Sequence, residues 1–173
     1  MRIKFQLATL AATLIMTPSF AGNMKVNDCL AHWETHIFED RMQMGGCNLN
    51  DADMLELSKI VYKRHLKQIN LRGNNFTAKG LGNLAAYDNG TIKILWLNEN
   101  KLGVDAVNAL TKFKALDVVS LSDNAIGDDG VIALSKNRRL NEVYLNNTNI
   151  KSIDAIKALS VSNLEVLSWQ IIT

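Results

Sequence analysis

In the stretch LSDNAIGDDGVIALSKNRRL, residues 121–140, Leu121 is followed by Asn124 and Ile126, and then by Val131 and Leu134 at helical spacing. With Leu116 and Val119 ahead of it, the stretch reads Leu-x-x-Val-x-Leu-x-x-Asn-x-Ile. The same phrase occurs at Leu66, Ile69, Leu71, Asn74 and Phe76, and at Ile92, Leu95, Leu97, Asn100 and Leu102. It returns at Leu140, Val143, Leu145, Thr148 and Ile150, and a last copy opens at Leu164, Leu167 and Trp169. The first step is 26 residues and the next three are 24 each. Self-similarity at such a period is the mark of a repeat array, in which each unit lacks a core of its own and stacking supplies one.

Each phrase alternates apolar and polar residues, as a short strand with one buried face requires. Leu81, Leu84 and Ala85 fit the inner face of a helix after the first strand. Val107 with Leu110, and Val131, Ile132 and Leu134, serve the next two. The asparagine slot is expected to turn inward, where Asn74, Asn100, Asn124 and, in part, Thr148 satisfy backbone groups as the chain leaves the strand. Met42, Met44, Cys47 and Leu49 form a disguised earlier copy with Cys47 in that slot, and residues 53–65 make its helix. Six strands follow. Upstream, Val26 to about Glu39 reads as one amphipathic capping helix with Leu30, Trp33 and Ile37 inward.

The phrase resembles the leucine-rich repeat over roughly residues 42–173. Residues 121–140 are similar to the ribonuclease-inhibitor-like class, in the short form common in bacterial proteins. The spacing of Ile150, Ile153, Ile156 and Leu159 resembles the internalin-type repeat, which implies a 3₁₀ return segment there. The resemblance implies an α/β fold: a right-handed leucine-rich-repeat solenoid with a parallel concave sheet of about six short strands and a helical N-terminal cap. It implies recognition of a protein partner.

The chain divides into a signal peptide at 1–21, a cap at 22–41 and repeats at 42–173. Arg2 and Lys4 precede an apolar run from Phe5 to Met16, and Ser19 and Ala21 stand at the −3 and −1 positions of a cut after Ala21. The run is too short to span about 30 Å of hydrocarbon. The expectation is a secreted or periplasmic protein with no membrane span after cleavage. Residues 22–173 hold 17 basic and 17 acidic residues, so the +2 of the whole chain comes from the leader. A zero balance gives no electrostatic case for nucleic acid or anionic membrane as the main partner. Two cysteines in an exported chain favour a Cys29–Cys47 disulfide.

No nucleophile elbow, phosphate loop or dinucleotide fingerprint occurs, so no catalytic residue, cofactor or metal is assigned and the chain reads as a non-enzyme. Cys29, His32 and His36 share a face of the expected capping helix, which leaves a metal-binding alternative open. Gly80 and Gly82 read as packing positions, and Asp128 and Asp129 as a helix start. The outward strand residues are the candidate partner surface. They are Asn70, Arg72, Trp96, Asn98, Glu99, Ser120, Asp123, Tyr144 and Asn146. Trp, Tyr and Arg are enriched in binding hot spots, and Ser120 is expected to leave a shallow gap between Trp96 and Tyr144. Trp169 and Ile172 suggest a sticky C-terminal end and a homodimer or self-assembling structural role as the alternative.

Overall fold

A computed structural model describes residues 26–169. Seven strands form one sheet in chain order: β1 (Ile37–Phe38), β2 (Arg41–Gln43), β3 (Gln68–Asn70), β4 (Ile94–Trp96), β5 (Val118–Ser120), β6 (Glu142–Leu145) and β7 (Glu165–Trp169). Strands β2 to β7 are the six expected parallel strands. Their registers bring Met42, Ile69, Leu95, Val119 and Val143 into one buried row. Met44, Leu71, Leu97, Leu121 and Leu145 form a second. Steps of 24 residues separate the members of each row from β4 to β6, and the longer returns through α2 and α3 take up steps of 27 and 26 without shifting the register.

The returns are helices α2 (Asp53–Arg64), α3 (Ala78–Ala86), α4 (Val104–Leu110), α5 (Gly127–Leu134) and α6 (Ile153–Ser160). Each packs on the next along one face of the sheet. Met54, Leu57 and Val61 bury the inner side of α2, Leu81, Leu84 and Ala85 that of α3, and Val131 and Leu134 that of α5. The final return corrects the 3₁₀ expectation. Ser152 Oγ accepts from Asp154 N at 3.1 Å and starts α6. Ala155 and Leu159, four apart, face inward, while Ile153 is 66% exposed. That is α spacing. Gly80 lies where a Cβ would come within 2.6 Å of Asp51 Oδ1 and 2.9 Å of Phe76 Cβ, so α3 packs there only with glycine. Gly82 faces open space and is no packing position.

The cap also departs from expectation. Helix α1 (Val26–Ala31) stops early, a 3₁₀ turn covers Trp33–His36, and β1 pairs antiparallel with β2. The turn between β1 and β2 runs through Glu39 at φ 57°. The apolar spacing of Leu30, Trp33 and Ile37 therefore marks contacts made by three different elements: Leu30 and Ile37 pack on the core, and Trp33 lies under the Arg64 guanidinium at 4.9 Å. Cys29 and Cys47 are joined in a disulfide that ties α1 to the first repeat.

Where each strand ends, the asparagine slot closes the interior. Asn74 Nδ2 donates to the Met44 and Leu71 carbonyls at 2.9 and 2.8 Å, and its Oδ1 accepts from Leu49 N at 2.8 Å. Asn124 Nδ2 donates to Leu97 O and Leu121 O, and its Oδ1 accepts from Asn100 N and Leu102 N at 3.2 and 3.1 Å. Asn100 donates to Leu71 O and Leu97 O, but its Oδ1 is buried with no partner among the described residues. Thr148 donates to Leu145 O at 2.8 Å. A second ladder uses carboxylates four residues after the slot. Asp51 accepts from Thr77 N, Thr77 Oγ1 and Gly80 N. Asp128 accepts from Lys151 N and Ser152 N.

These bonds rank the ladder. Asn124→Ala removes a donor from the Leu97, Leu121 and Ser122 carbonyls and the acceptor of two amides, so it should cost about 1–3 kcal/mol. Asn100→Ala should cost less, because one end of its amide is already idle. Asn98→Ala, with no ladder role for its side chain, should stay within about 0.5 kcal/mol. Denaturant midpoints check the order, and a reversal of Asn124 and Asn100 would reject the assignment.

The carboxylate ladder predicts a pH effect. Burial pushes the Asp51 carboxyl up, but the Thr77 and Gly80 bonds outweigh it and hold it below the ordinary range. The Ser152 and Lys151 amides hold Asp128 below it too, against a smaller effect of burial. A depressed carboxyl contributes stability above its unfolded value of about 3.9 and loses it as pH falls through the folded value. The parent should therefore lose stability between about pH 5 and pH 2. The Asp51→Asn/Asp128→Asn variant should be less stable at neutral pH and decline less on acidification. Parallel decline in both proteins would remove these two groups as the cause.

Candidate functional site

The sheet face away from the helices carries the candidate residues. Parallel register places Gln43, Asn70, Trp96, Ser120 and Tyr144 in one row, and backbone pairing brings Ser168 alongside Tyr144. Neighbouring side chains engage one another across this face. Asn70 Nδ2 donates to Gln43 Oε1 at 2.9 Å. Arg72 forms an exposed ion pair with Glu99. Asn146 N donates to Ser122 Oγ at 3.2 Å, and Asn147 Nδ2 to Asp123 Oδ1 at 2.9 Å.

The centre of the face differs from expectation. Trp96 and Tyr144 stand two strands apart, yet their ring centroids are 5.7 Å apart at a 50° tilt. Strands are about 4.8 Å apart, so both rings lean over the intervening strand. Ser120 beneath them is 1% exposed. The gap is closed, and Ser120 is floor rather than contact surface. Small Ser120 is what allows the rings to meet, and a tilted pair at this distance is a favourable aromatic geometry. Half-buried Ile94 and Val118 extend the platform toward the strand starts. Beside it, Glu142 is pushed above the usual carboxylate range by burial and then by Asp117 and Glu165. Burial and Glu142 together raise the Tyr144 hydroxyl.

A rim follows the platform. Gly46, Gly73, Glu99, Asp123 and Asn147 occupy one repeat position and all adopt positive φ, between 50° and 72°. Their backbone N–H groups, as far as Asp123, donate to the next repeat's carbonyls at 2.8–3.1 Å. Glu99 and Asp123 thus hold a left-handed backbone that side chains rarely adopt, at a cost of order 1 kcal/mol each. Two glycines just before the asparagine slot were the sequence signal of this constraint. Among the remaining candidates, Asn98 and Asn146 are half-buried beside the rim.

The metal alternative fails on this geometry. Cys29 is disulfide-bonded, and α1 ends at Ala31, so His32 and His36 do not share a helix with it. His36 Nδ1 lies 2.9 Å from the Gln43 carbonyl instead. No cluster of His, Cys, Asp and Glu suited to a metal occurs among the described residues. His65 is the left-handed C-cap of α2, 2.8 Å from Asn89 Nδ2. Ile172 and the leader 1–21 lie outside the described residues, as does the side chain of Trp169.

Residues 62–85 and 111–135 match the Leucine Rich repeat family. The chain contains leucine-rich repeats. Each matched segment spans the junction from one helix through a strand to the next helix, which is the unit that recurs here. Comparison with curated proteins returned no match. Leucine-rich repeats generally mediate protein–protein interaction, and among the described residues no helix is long and apolar enough to cross a membrane.

The aromatic platform makes a direct prediction. A double-mutant cycle of Trp96→Ala and Tyr144→Ala should give a coupling of about 0.5–1.5 kcal/mol in unfolding free energy. Zero coupling would mean that the rings do not meet.

Proposed function

We propose that this protein is exported and non-enzymatic, and that it recognises a protein partner through the open face of its sheet. The observation that carries the reading is the Trp96–Tyr144 pair on a face whose other side chains already hold one another. Such a surface is preorganised, so little side-chain entropy remains to be lost on binding. Aromatic residues and Arg supply the contact chemistry that dominates protein interfaces. Export is supported by the layout of residues 1–21 and by the Cys29–Cys47 disulfide, a bond suited to an oxidising compartment. Self-association through the C-terminal end is the alternative use of the chain. It rests on residues such as Ile172 beyond those described and on β7, an edge strand of the described sheet.

A photo-crosslinker at Asn98 would capture a partner seated on the rim. The partner's affinity should then fall about thirtyfold with Trp96→Ala, corresponding to about 2 kcal/mol. Lys59→Ala on the helical face should leave it unchanged. An affinity indifferent to Trp96 would transfer recognition to another face.

A further inference from the structure

The zero balance of charge after residue 21 conceals a segregation by rim. Helices α2 to α6 return the chain between parallel strands, so the connections from them to β3–β7 gather at the edge of the sheet where those strands begin. The segments 63–67, 86–93, 112–117 and 136–141 at that edge carry nine Lys and Arg against two Asp, and the β1–β2 turn at the same edge adds Glu39, Asp40 and Arg41. All nine cations of the four segments are exposed. One of their two acids, Asp88, is buried and accepts from Gly90 N and Lys114 N. The opposite edge, residues 45–53, 71–79, 97–105, 121–129 and 146–154, carries eight acids against four cations.

The two rims differ in what their charges do. Acids at helix starts complement the helix dipole and cap backbone amides, and Asp51 and Asp128 are engaged in that way. Glu99 and Asp123 hold Arg72 and Asn147. Among the described residues, Lys67 alone of the nine cations on the basic rim forms an ion pair, with Asp40 at 3.0 Å. Arg139 reaches the Thr111 and Phe113 carbonyls at 3.4 Å, and Arg64 lies over Trp33. Lys63, Lys112, Lys136 and Arg138 make no side-chain hydrogen bond among the described residues. Helix-end complementarity accounts for some positive charge here, but it does not require nine exposed cations on one edge.

Exposed apolar side chains share that rim. Phe38 is 63% exposed and pairs with Arg41 beside the turn that meets Lys67. Tyr62 in the last turn of α2, Tyr87 after α3, and Val161 after α6 are 52%, 37% and 85% exposed. Lys93, Lys114 and Arg139 line a shallow depression of about 370 Å³ there, with Asp117.

We propose that the basic rim docks on an anionic lipid surface, with the lysines and arginines over the headgroups and Phe38, Tyr62, Tyr87 and Val161 at the interface. The cations are spread along an edge rather than around a groove, which suits a plane. Each Lys or Arg near such a surface is attracted to it. A soluble polyanion would use the cations and leave the apolar side chains in water, whereas a lipid interface takes both chemistries. Docked this way, the rim places the sheet edge-on to the membrane and leaves the Trp96–Tyr144 face open, so this inference does not depend on the partner reading.

The test uses a chain beginning at Gly22, which contains every element from α1 to β7 and omits an apolar run that would itself enter bilayers. It should sediment with phosphatidylglycerol vesicles at low salt and not with phosphatidylcholine vesicles. Lys114→Glu/Lys136→Glu/Arg138→Glu should reduce that partitioning by about tenfold or more. Lys79→Glu/Lys101→Glu/Lys151→Glu makes the same change in net charge on the opposite rim and should reduce it far less. Tyr62→Ser/Val161→Ser should weaken the part of binding that survives salt. Circular dichroism confirms the fold of each variant. Equal loss in the two charge variants would overturn the proposal, as would equal binding to both lipids. Rim-dependent binding of heparin without vesicle binding would replace the membrane by a soluble polyanion.

Discussion

Each strand of this sheet ends inside the molecule, and the carbonyls of Leu71, Leu97 and Leu121 point into an interior with no strand left to pair them. A buried carbonyl without a donor costs as much as a lost hydrogen bond. The asparagine amides of successive repeats supply those donors, each joining its own repeat to the one before. The rest of the solenoid depends on that arrangement. The asparagine can reach the preceding repeat only if the chain turns sharply just before it, which fixes the left-handed backbone at Gly73, Glu99, Asp123 and Asn147. The turn aims the following chain at the helix layer, and the carboxylates of Asp51 and Asp128 then fasten the next repeat's helix start.

The repeat array was legible because its signal is redundant. Leu95, Val119 and Val143 recur at a fixed step, and a slip of one residue would turn every one of them to solvent. The disguised copy at Met42 and Met44 was readable for the same reason, with Cys47 in the asparagine slot and Asn74 of the next repeat supplying the donor to Met44. The cap lacked such redundancy. Leu30, Trp33 and Ile37 recur at helical spacing, yet the helix stops at Ala31, where tertiary contacts outweigh a single short period. The last return failed in the opposite direction. Three isoleucines at a spacing of three suggested a tight helix, but Ala155, a small residue the pattern passed over, faces inward with Leu159 while Ile153 is exposed.

On the open face of the sheet, strand alternation places the outward residues but not their relief. The outward positions follow from strand alternation alone, so Trp96 and Tyr144 were assigned to the face from their place in the phrase. Their contact was not visible, because it depends on how far two large rings lean over Ser120. Seen as isolated side chains they bracket a gap, whereas packed together they make a single raised platform with a buried serine below. Arg72 and Glu99 pose the same difficulty. Each reads as a free charge along the chain, but the register of β3 and β4 brings them together.

Charge shows the limit of composition most directly. Counting Lys, Arg, Asp and Glu gives a neutral chain after residue 21, and from that number a charged partner has no support. The fold sorts the same residues by rim, because strand exits and strand entries alternate along the sequence while lying at opposite edges of the sheet. Acids gather where helices begin and where amides need acceptors. Cations gather where helices end, and most of them meet no acceptor among the described residues. A field therefore exists across the solenoid that vanishes in the sum, and it acts within about a Debye length of either edge, roughly 8–10 Å at ordinary salt. Any partner that meets this protein by an edge encounters a strongly charged surface, and one that meets the sheet face encounters an aromatic platform between the two.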